Sequence, residues 1–200
     1  MHTAEAHDTE RTHQTPHPTR SPMPATYTFD RAQAADRAAI LSIYHACVGL
    51  PGCTWGYDYP SAETIDHDLA HGWLYCLRQG DVIVGVVSVG NFGELTEGDI
   101  PWSAAQRPCE IGRIGVLPAA QGQGLGRRLL ELALGVARRQ GFDAMRLLVS
   151  PGNAPALALY RRAGFRTVGE TDRYDIHWLC MELALRSMAG CSPAATCRAR

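Results

Sequence analysis

The sequence predicts an α/β domain of the α+β kind: a mixed, mostly antiparallel twisted sheet of six to seven strands with helices on both faces. Three observations predict it. Segments of strand and helix character follow one another in the order β-α-α-β-β-β-α-β-α-β-β between two ends that lack apolar periodicity. The stretch "WLYCLRQGDVIVGVVSVGNF" at 73–92 reads as a hairpin, two strands around Gln79-Gly80-Asp81. A glycine-dense turn, "QGQGLG" at 121–126, opens directly into an amphipathic helix.

The elements follow in order. Residues 1–23, rich in His, Thr and Pro, are expected to form a disordered tail, with one domain over 24–186 and a second loose tail over 187–200. His2, His7, His13 and His17 are too irregularly spaced to predict a metal site. "ATYTF" (25–29) reads as a short strand, and 35–48 repeats Ile40, Ile43, Tyr44 and Cys47 at helical spacing. An aromatic loop, "CTWGYDYP", leads to a helix opened by Ser61 and closed by Gly72. After the hairpin and a polar loop containing Pro101 and Trp102, "CEIGRIGVL" (109–117) is a strand ended by Pro118. The helix over 125–141 sets Leu125, Leu129, Leu132 and Val136 on one face, and 142–150 is an apolar strand. Asn153 and Pro155 start a further helix that Gly164 ends, and "FRTVGE" and "YDIHWLCMEL" give two closing strands.

Composition excludes several functions. The net charge is −1, so no global bias toward nucleic acid or a membrane surface exists. All 19 basic residues are arginine, which excludes a lysine Schiff base and a phosphate loop of the Gly-Lys-Ser/Thr type. The seven cysteines are odd in number, contain no C-x-x-C and follow no signal peptide, so a reducing cytoplasm is expected. No apolar run approaches the roughly 20 residues of a membrane span.

The glycine turn has two readings. It is a plain turn into a helix, or it is an anion cradle. A helix start offers unpaired N–H groups and about half a positive elementary charge, and glycines let backbone approach a phosphate closely. Gln121 adds a donor and Arg127 a charge. A dinucleotide fingerprint is disfavoured: the spacing is Gly122-x-Gly124-x-Gly126, and the next strand ends at Val149-Ser150 without an acid.

At these residues the chain resembles the GNAT superfamily of N-acetyltransferases, as a single-domain member of bacterial type. Gln121-Gly122-Gln123-Gly124-Leu125-Gly126 matches the family's Gln/Arg-x-x-Gly-x-Gly/Ala signature. "RIGVLP" resembles the strand before it, and "NAPALALYRRAGF" (153–165) resembles the second signature, from Asn to Gly-Phe. The resemblance spans roughly 25–184. It implies acetyl-coenzyme A as cosubstrate, no metal, a splayed central strand pair, and direct acetyl transfer to a primary amine.

It also implies site residues. Tyr160 would stand beside the coenzyme sulfur and protonate the leaving thiolate, unless it is only core. Glu110, eleven residues before Gln121, would accept the amine proton through a water, unless it is a solvated acid at a strand start. The backbone N–H of Val116 would serve the oxyanion. Ile114, Val116, Gln121, Gly122, Gln123, Gly124, Leu125, Gly126, Arg127 and Asn153 would bind the coenzyme, with Gly112 and Gly115 allowing close approach. Asn153 also reads as a helix cap. Residues 110, 112, 114 and 116 share one side of a regular strand, unless a bulge intervenes. Cys109 lacks a nearby histidine and is disfavoured as an acyl carrier.

Trp55, Tyr57, Asp58 and Tyr59 are candidate acceptor-site residues, since aromatic walls with one acid suit a small amine; a loop pinned by its aromatics is the other reading. His67 and His71, one turn apart in "HDLAH", read as a half-exposed helix face rather than a zinc motif. The expected acceptor is a small-molecule amine, with a protein N-terminus as the enzyme alternative and a non-catalytic acyl-coenzyme A sensor as the alternative of another class. Neither nucleic acid nor membrane is an expected partner, and the chain is expected to be a monomer or homodimer.

Overall fold

The computed structural model describes residues 26–93, 95 and 100–185; the expected tails at 1–23 and 187–200 lie outside the described residues. The elements run β1 (Tyr27–Arg31), α1 (Arg37–Cys47, led by a 3-10 turn at Ala34–Asp36), α2 (Ala62–His71), β2 (Leu74–Gln79), β3 (Val82–Gly90), β4 (Pro108–Val116), α3 (Leu125–Arg139), β5 (Ala144–Val149), α4 (Ala154–Ala163), β6 (Arg166–Arg173) and β7 (Ile176–Ala184). This is the order expected from the sequence. The seven strands form one sheet, β1-β2-β3-β4-β5-β7-β6. Only β4 and β5 are parallel, and α3 supplies the crossover such a pair requires.

Two apolar cores sandwich the sheet. Side chains of successive strand residues point to opposite faces. On β2, Tyr75 and Leu77 enter the core under α3 and α4, while Leu74 and Cys76 enter the core under α1 and α2. On α3 the buried stripe is wider than expected: Leu125, Leu129, Leu130, Ala133, Leu134, Val136 and Ala137 are buried, and Leu132 sits at its rim. Ala133 and Ala137 keep the helix close to the sheet. Gly85 of β3 serves the same contact, since a Cβ there would come within 2.7 Å of Leu129 Cδ1.

Caps fix the helices that border the central strands. Ser61 Oγ accepts from Thr64 N at 3.2 Å to start α2, and Gly72, at φ +64°, ends it. Asn153 Oδ1 accepts from Ala156 N at 3.1 Å to start α4, satisfying one of the donors a helix start leaves open.

Candidate active site

The site is organised by β4. Its first three residues pair with β5, Pro108 with Ala144, Cys109 with Met145 and Glu110 with Arg146. Beyond Glu110 the ladder stops, although both strands continue to Val116 and Val149. The two strands therefore part and leave a V-shaped gap in mid-sheet.

A bulge on the other side of β4 accompanies the split. Val86 of β3 pairs with Gly115, but Ser88 pairs with Gly112, so Arg113 and Ile114 together stand opposite Val87. Arg113 takes the left-handed backbone conformation, φ +52°. For a residue with a Cβ this costs about 1–2 kcal/mol. A buried network holds it there. Arg113 Nε donates to Asp68 Oδ2 at 2.9 Å and Nη2 to Asp68 Oδ1 at 3.0 Å. Ser88 Oγ donates to Asp68 Oδ2 at 2.5 Å, Arg113 Nη1 donates to Tyr59 Oη at 3.0 Å, and the guanidinium lies 4.3 Å from the centre of the Phe92 ring.

The bulge reassigns the faces of β4. A Cβ at Gly115 would meet Ile43 and Tyr44 of α1, so this glycine is small because α1 seats on it. Ile114 and Val116 pack instead against the α3-side core. Glu110 and Ile114 are thus on opposite faces, unlike in a regular strand. The backbone edge is equally defined. Leu117 N–H donates to Val84 O on β3 at 2.9 Å, so alternation turns the Val116 N–H away from β3, toward the gap.

Glu110 lies at the closed end of the gap. It is 5 % exposed, so it is not a solvated acid at a strand start. Leu95 N–H donates to its Oε1 at 3.4 Å. A cavity of about 40 Å³, lined by Asn91, Leu95, Pro108, Cys109, Glu110 and Arg146, adjoins it. That volume, with Asn91, Glu110 and Arg146 in its lining, suits a water. Cys109 faces the other core, and burial pushes its thiol up to about 12, so at neutral pH it is not a thiolate nucleophile.

The glycine turn lies at the far end of β4. Gly122 and Gly124 both have φ +76°, and a Cβ on either would point into open space. Gly124 is the N-cap of α3 and supplies no side-chain cap, so the amides at Leu125, Gly126 and Arg127 begin the helix without one. The Gln121 side-chain donor is already engaged: its Nε2 donates to Val116 O at 3.0 Å and ties the turn to β4. Arg127 is exposed and pairs with Glu131 at 3.0 Å. An uncapped, glycine-built helix start beside an open strand edge fits a diphosphate with an extended arm.

Tyr160 is buried in the α3-side core, its ring 5.6 Å from that of Phe165. Burial raises its hydroxyl to about 12. Glu110 and Tyr160 are therefore not neighbours on one face; they approach the split from opposite faces of the sheet. Asn153 caps α4, and a Cβ on Gly52 would come within 2.8 Å of its Cα, so the α1–α2 loop rests on it.

That loop is part pinned and part open. Trp55 packs edge-on against Tyr44 at 5.2 Å. Tyr57 is 71 % exposed, Asp58 is exposed, and Tyr59 reaches the β4 bulge through its hydroxyl. The His67 and His71 rings lie 4.3 Å apart, tilted by 40°, and His71 stacks on Trp73. Among the described residues no group of three His, Cys, Asp or Glu side chains is placed to hold a metal ion, and no helix is long and apolar enough to cross a membrane.

Sequence reasoning missed Asp68, Ser88, Arg113, Arg146 and Glu182. The available signal was a charged residue inside an otherwise apolar strand, as with Arg113 in "EIGRIGV" and Glu182 in "CMEL".

Known proteins share both sequence and fold with the chain. A profile of the Acetyltransferase (GNAT) family matches residues 38–165. Mycothiol acetyltransferase of Beutenbergia cavernae is 48 % identical over 67 residues, 34 % of this chain and 23 % of that protein. N-alpha-acetyltransferase RimI of Mycobacterium tuberculosis is 38 % identical over 115 residues, 58 % of this chain and 65 % of that protein. The chain thus spans less than two thirds of the length of these two relatives. L-methionine sulfoximine/L-methionine sulfone acetyltransferase of Pseudomonas paraeruginosa is 31 % identical over 148 residues, 70 % of this chain and 80 % of that protein. The structure of yncA, a putative acetyltransferase from Salmonella typhimurium with its cofactor acetyl-CoA, shares the fold at a TM-score of 0.63 and 23 % identity, over 84 % of this chain and 99 % of that one.

Proposed function

Because this chain belongs to the acetyltransferase (GNAT) family, we propose that it moves the acetyl group of acetyl-coenzyme A directly to a primary amine, and that the acceptor is a small molecule. The observation that carries this reading is the gap between β4 and β5, which leads from Glu110 toward the uncapped, glycine-built start of α3. The amides at Gly122, Gln123, Gly124, Leu125, Gly126 and Arg127 would hold the diphosphate, with helix-start charge and closely approaching backbone as the reason. Ile114 and Val116 would hold the extended arm along the strand edge, and Asn153 would border it. Bound acetyl-coenzyme A supplies an activated acyl carbon and a sulfur leaving group.

The chain supplies the remaining chemistry. An amine is mostly protonated at neutral pH and an ammonium nitrogen has no lone pair, so a base must take its proton before the N–C bond can form. Glu110 takes it, through a water in the adjoining cavity. The N–H group of Val116 on the open edge stabilises the negative charge on the carbonyl oxygen. Tyr160, kept protonated by burial, gives its proton to the sulfur as the C–S bond breaks.

The acceptor loop supports a small amine: Tyr57 and Asp58 offer exposed aromatic and acidic groups beside Tyr59. The Pseudomonas relative, matched over most of its length, acts on methionine sulfoximine and sulfone by its name. A protein N-terminus is the second reading, favoured by the RimI match. Incubation with acetyl-coenzyme A and either L-methionine sulfoximine, a panel of small amines or an alanine-initiated peptide, read by thiol release and mass, decides between them. Gain of one acetyl group on small amines alone supports the proposal. Acetylation of the peptide alone supports the second reading. Coenzyme binding without amine-stimulated thiol release would leave a sensor.

A further inference from the structure

Four charged residues form one row across the sheet. In register, Glu110 of β4 faces Arg146 of β5, Arg146 faces Glu182 of β7, and Glu182 faces Arg166 of β6. Arg146 therefore has a carboxylate neighbour on each flanking strand, and its bonds go to one of them. Its Nε donates to Glu182 Oε1 at 2.8 Å, its Nη2 donates to Ser103 O at 2.9 Å, and the Trp102 ring centre lies 5.0 Å away. Glu182 is itself held, since Ser103 N–H donates to Oε2 at 3.1 Å. The Arg146 and Glu182 side chains are 11 % and 8 % exposed. Yet Arg146 lines the same small cavity as Glu110.

The groups around Glu110 among the described residues are few. Arg146 faces it from β5, Cys109 adjoins it on β4, Asn91 and Leu95 N–H come from the β3–β4 connection, and its β3 partner is Gly90. Arg146 is thus a cation that faces Glu110 in register and whose position bears on the basicity of its carboxylate. In contact with a carboxylate, a guanidinium lowers the carboxyl pKa by about 1–3 units. A carboxylate so weakened takes a proton from an amine less readily.

We propose that Glu182 is a positioning residue: it holds the Arg146 guanidinium on the β7 side and so keeps Glu110 basic enough to take the amine proton. This rests on the reading of Glu110 as proton acceptor.

The test is a pH titration of the Glu110 carboxyl carbon by ¹³C NMR in the full chain, assigned by the signal that Glu110→Gln removes. Glu182→Gln releases Arg146 toward Glu110, and the Glu110 midpoint falls by about one pH unit. Glu182→Asp, which retracts the carboxylate by one methylene, gives a smaller fall. R146M/E182L removes both charges and leaves the midpoint at or above the wild-type value. Once an acceptor is known, the low-pH limb of kcat moves with the midpoint. A folded Glu182→Gln variant with an unmoved midpoint overturns the proposal. If that variant does not fold, Glu182→Asp decides alone, and a wild-type midpoint overturns it. Failure of the underlying reading is separate: Glu110→Gln would then keep the wild-type rate and pH profile.

Discussion

Asp68 and Arg113 close a bidentate pair across the boundary between α2 and β4, with Asp68 1 % and Arg113 5 % exposed. The pair stands where β4 bulges, and it holds a residue with a Cβ in the left-handed region. Asp68→Ala removes the carboxylate that accepts from two nitrogens of a buried guanidinium. The expected loss is about 3–5 kcal/mol of stability, because breaking a buried pair costs far more than the pair contributes. The urea midpoint should fall at unchanged slope. R113M/D68L, which removes both charges, should lose much less. Equal losses in the two variants would show that the charge left behind is not the cause.

The order of elements was legible in the sequence because apolar periodicity and caps are local: Ser61, Gly72, Asn153 and Gly164 each end a helix where expected. The glycine turn was legible too, since only glycine visits φ +76° at little cost. The bulge at Arg113 was not. Arginine carries no preference for the left-handed region, and its conformation is tied to Asp68, 45 residues away in sequence. The role of Gly115 was hidden for a related reason, because its neighbours Ile43 and Tyr44 come from α1. Glu110 and Tyr160 were named through the family resemblance, but the pairing of Arg146 with Glu182 depends on strand order β5-β7-β6, which swaps two strands relative to the chain. Long-range charge pairing left no local pattern to read.

Gly124 should separate folding from coenzyme binding. Gly124→Ala adds a Cβ that meets nothing within 4 Å, so its cost is the left-handed backbone alone, about 1 kcal/mol. Gly124→Glu places a negative charge at the start of α3, which the helix tolerates and a diphosphate does not. Titration calorimetry with coenzyme A should show affinity lowered by about 100-fold or more for Gly124→Glu, or roughly 3 kcal/mol. Wild-type affinity would remove the turn as the diphosphate site.

Asp36 should give a distinct signature in acid. Arg78 donates to its carboxylate through Nη2 at 2.7 Å and Nη1 at 3.2 Å, and Gln33 N–H donates at 2.8 Å. The Arg78 bond, foremost, holds the carboxyl below its ordinary range. In the unfolded chain the group titrates near 3.9. Above that pH the stabilisation is fully present. It is lost as pH falls from about 4 through the lower folded value, because the unfolded chain binds the proton first. Asp36→Asn should therefore be less stable than wild type at pH 6, with the difference shrinking between about pH 4 and pH 2 in urea titrations. A constant difference across that range would mean that the carboxylate charge is not what stabilises this corner.

Tyr160 tests the proton given to the leaving sulfur. Its hydroxyl is held near 12 by burial, so it stays protonated throughout the working range of an amine acetylation. Tyr160→Phe keeps the ring that packs beside Phe165, so stability should change little. If the hydroxyl protonates the sulfur, kcat should fall by about 10²-fold, at the lower end of general-acid contributions. Coenzyme affinity should stay within about twofold. The fall should lessen for an acyl donor whose thiol has a lower pKa, since such a sulfur leaves without needing the proton. An equal fall with both donors would assign Tyr160 to packing, because a packing defect does not sense the basicity of the departing sulfur.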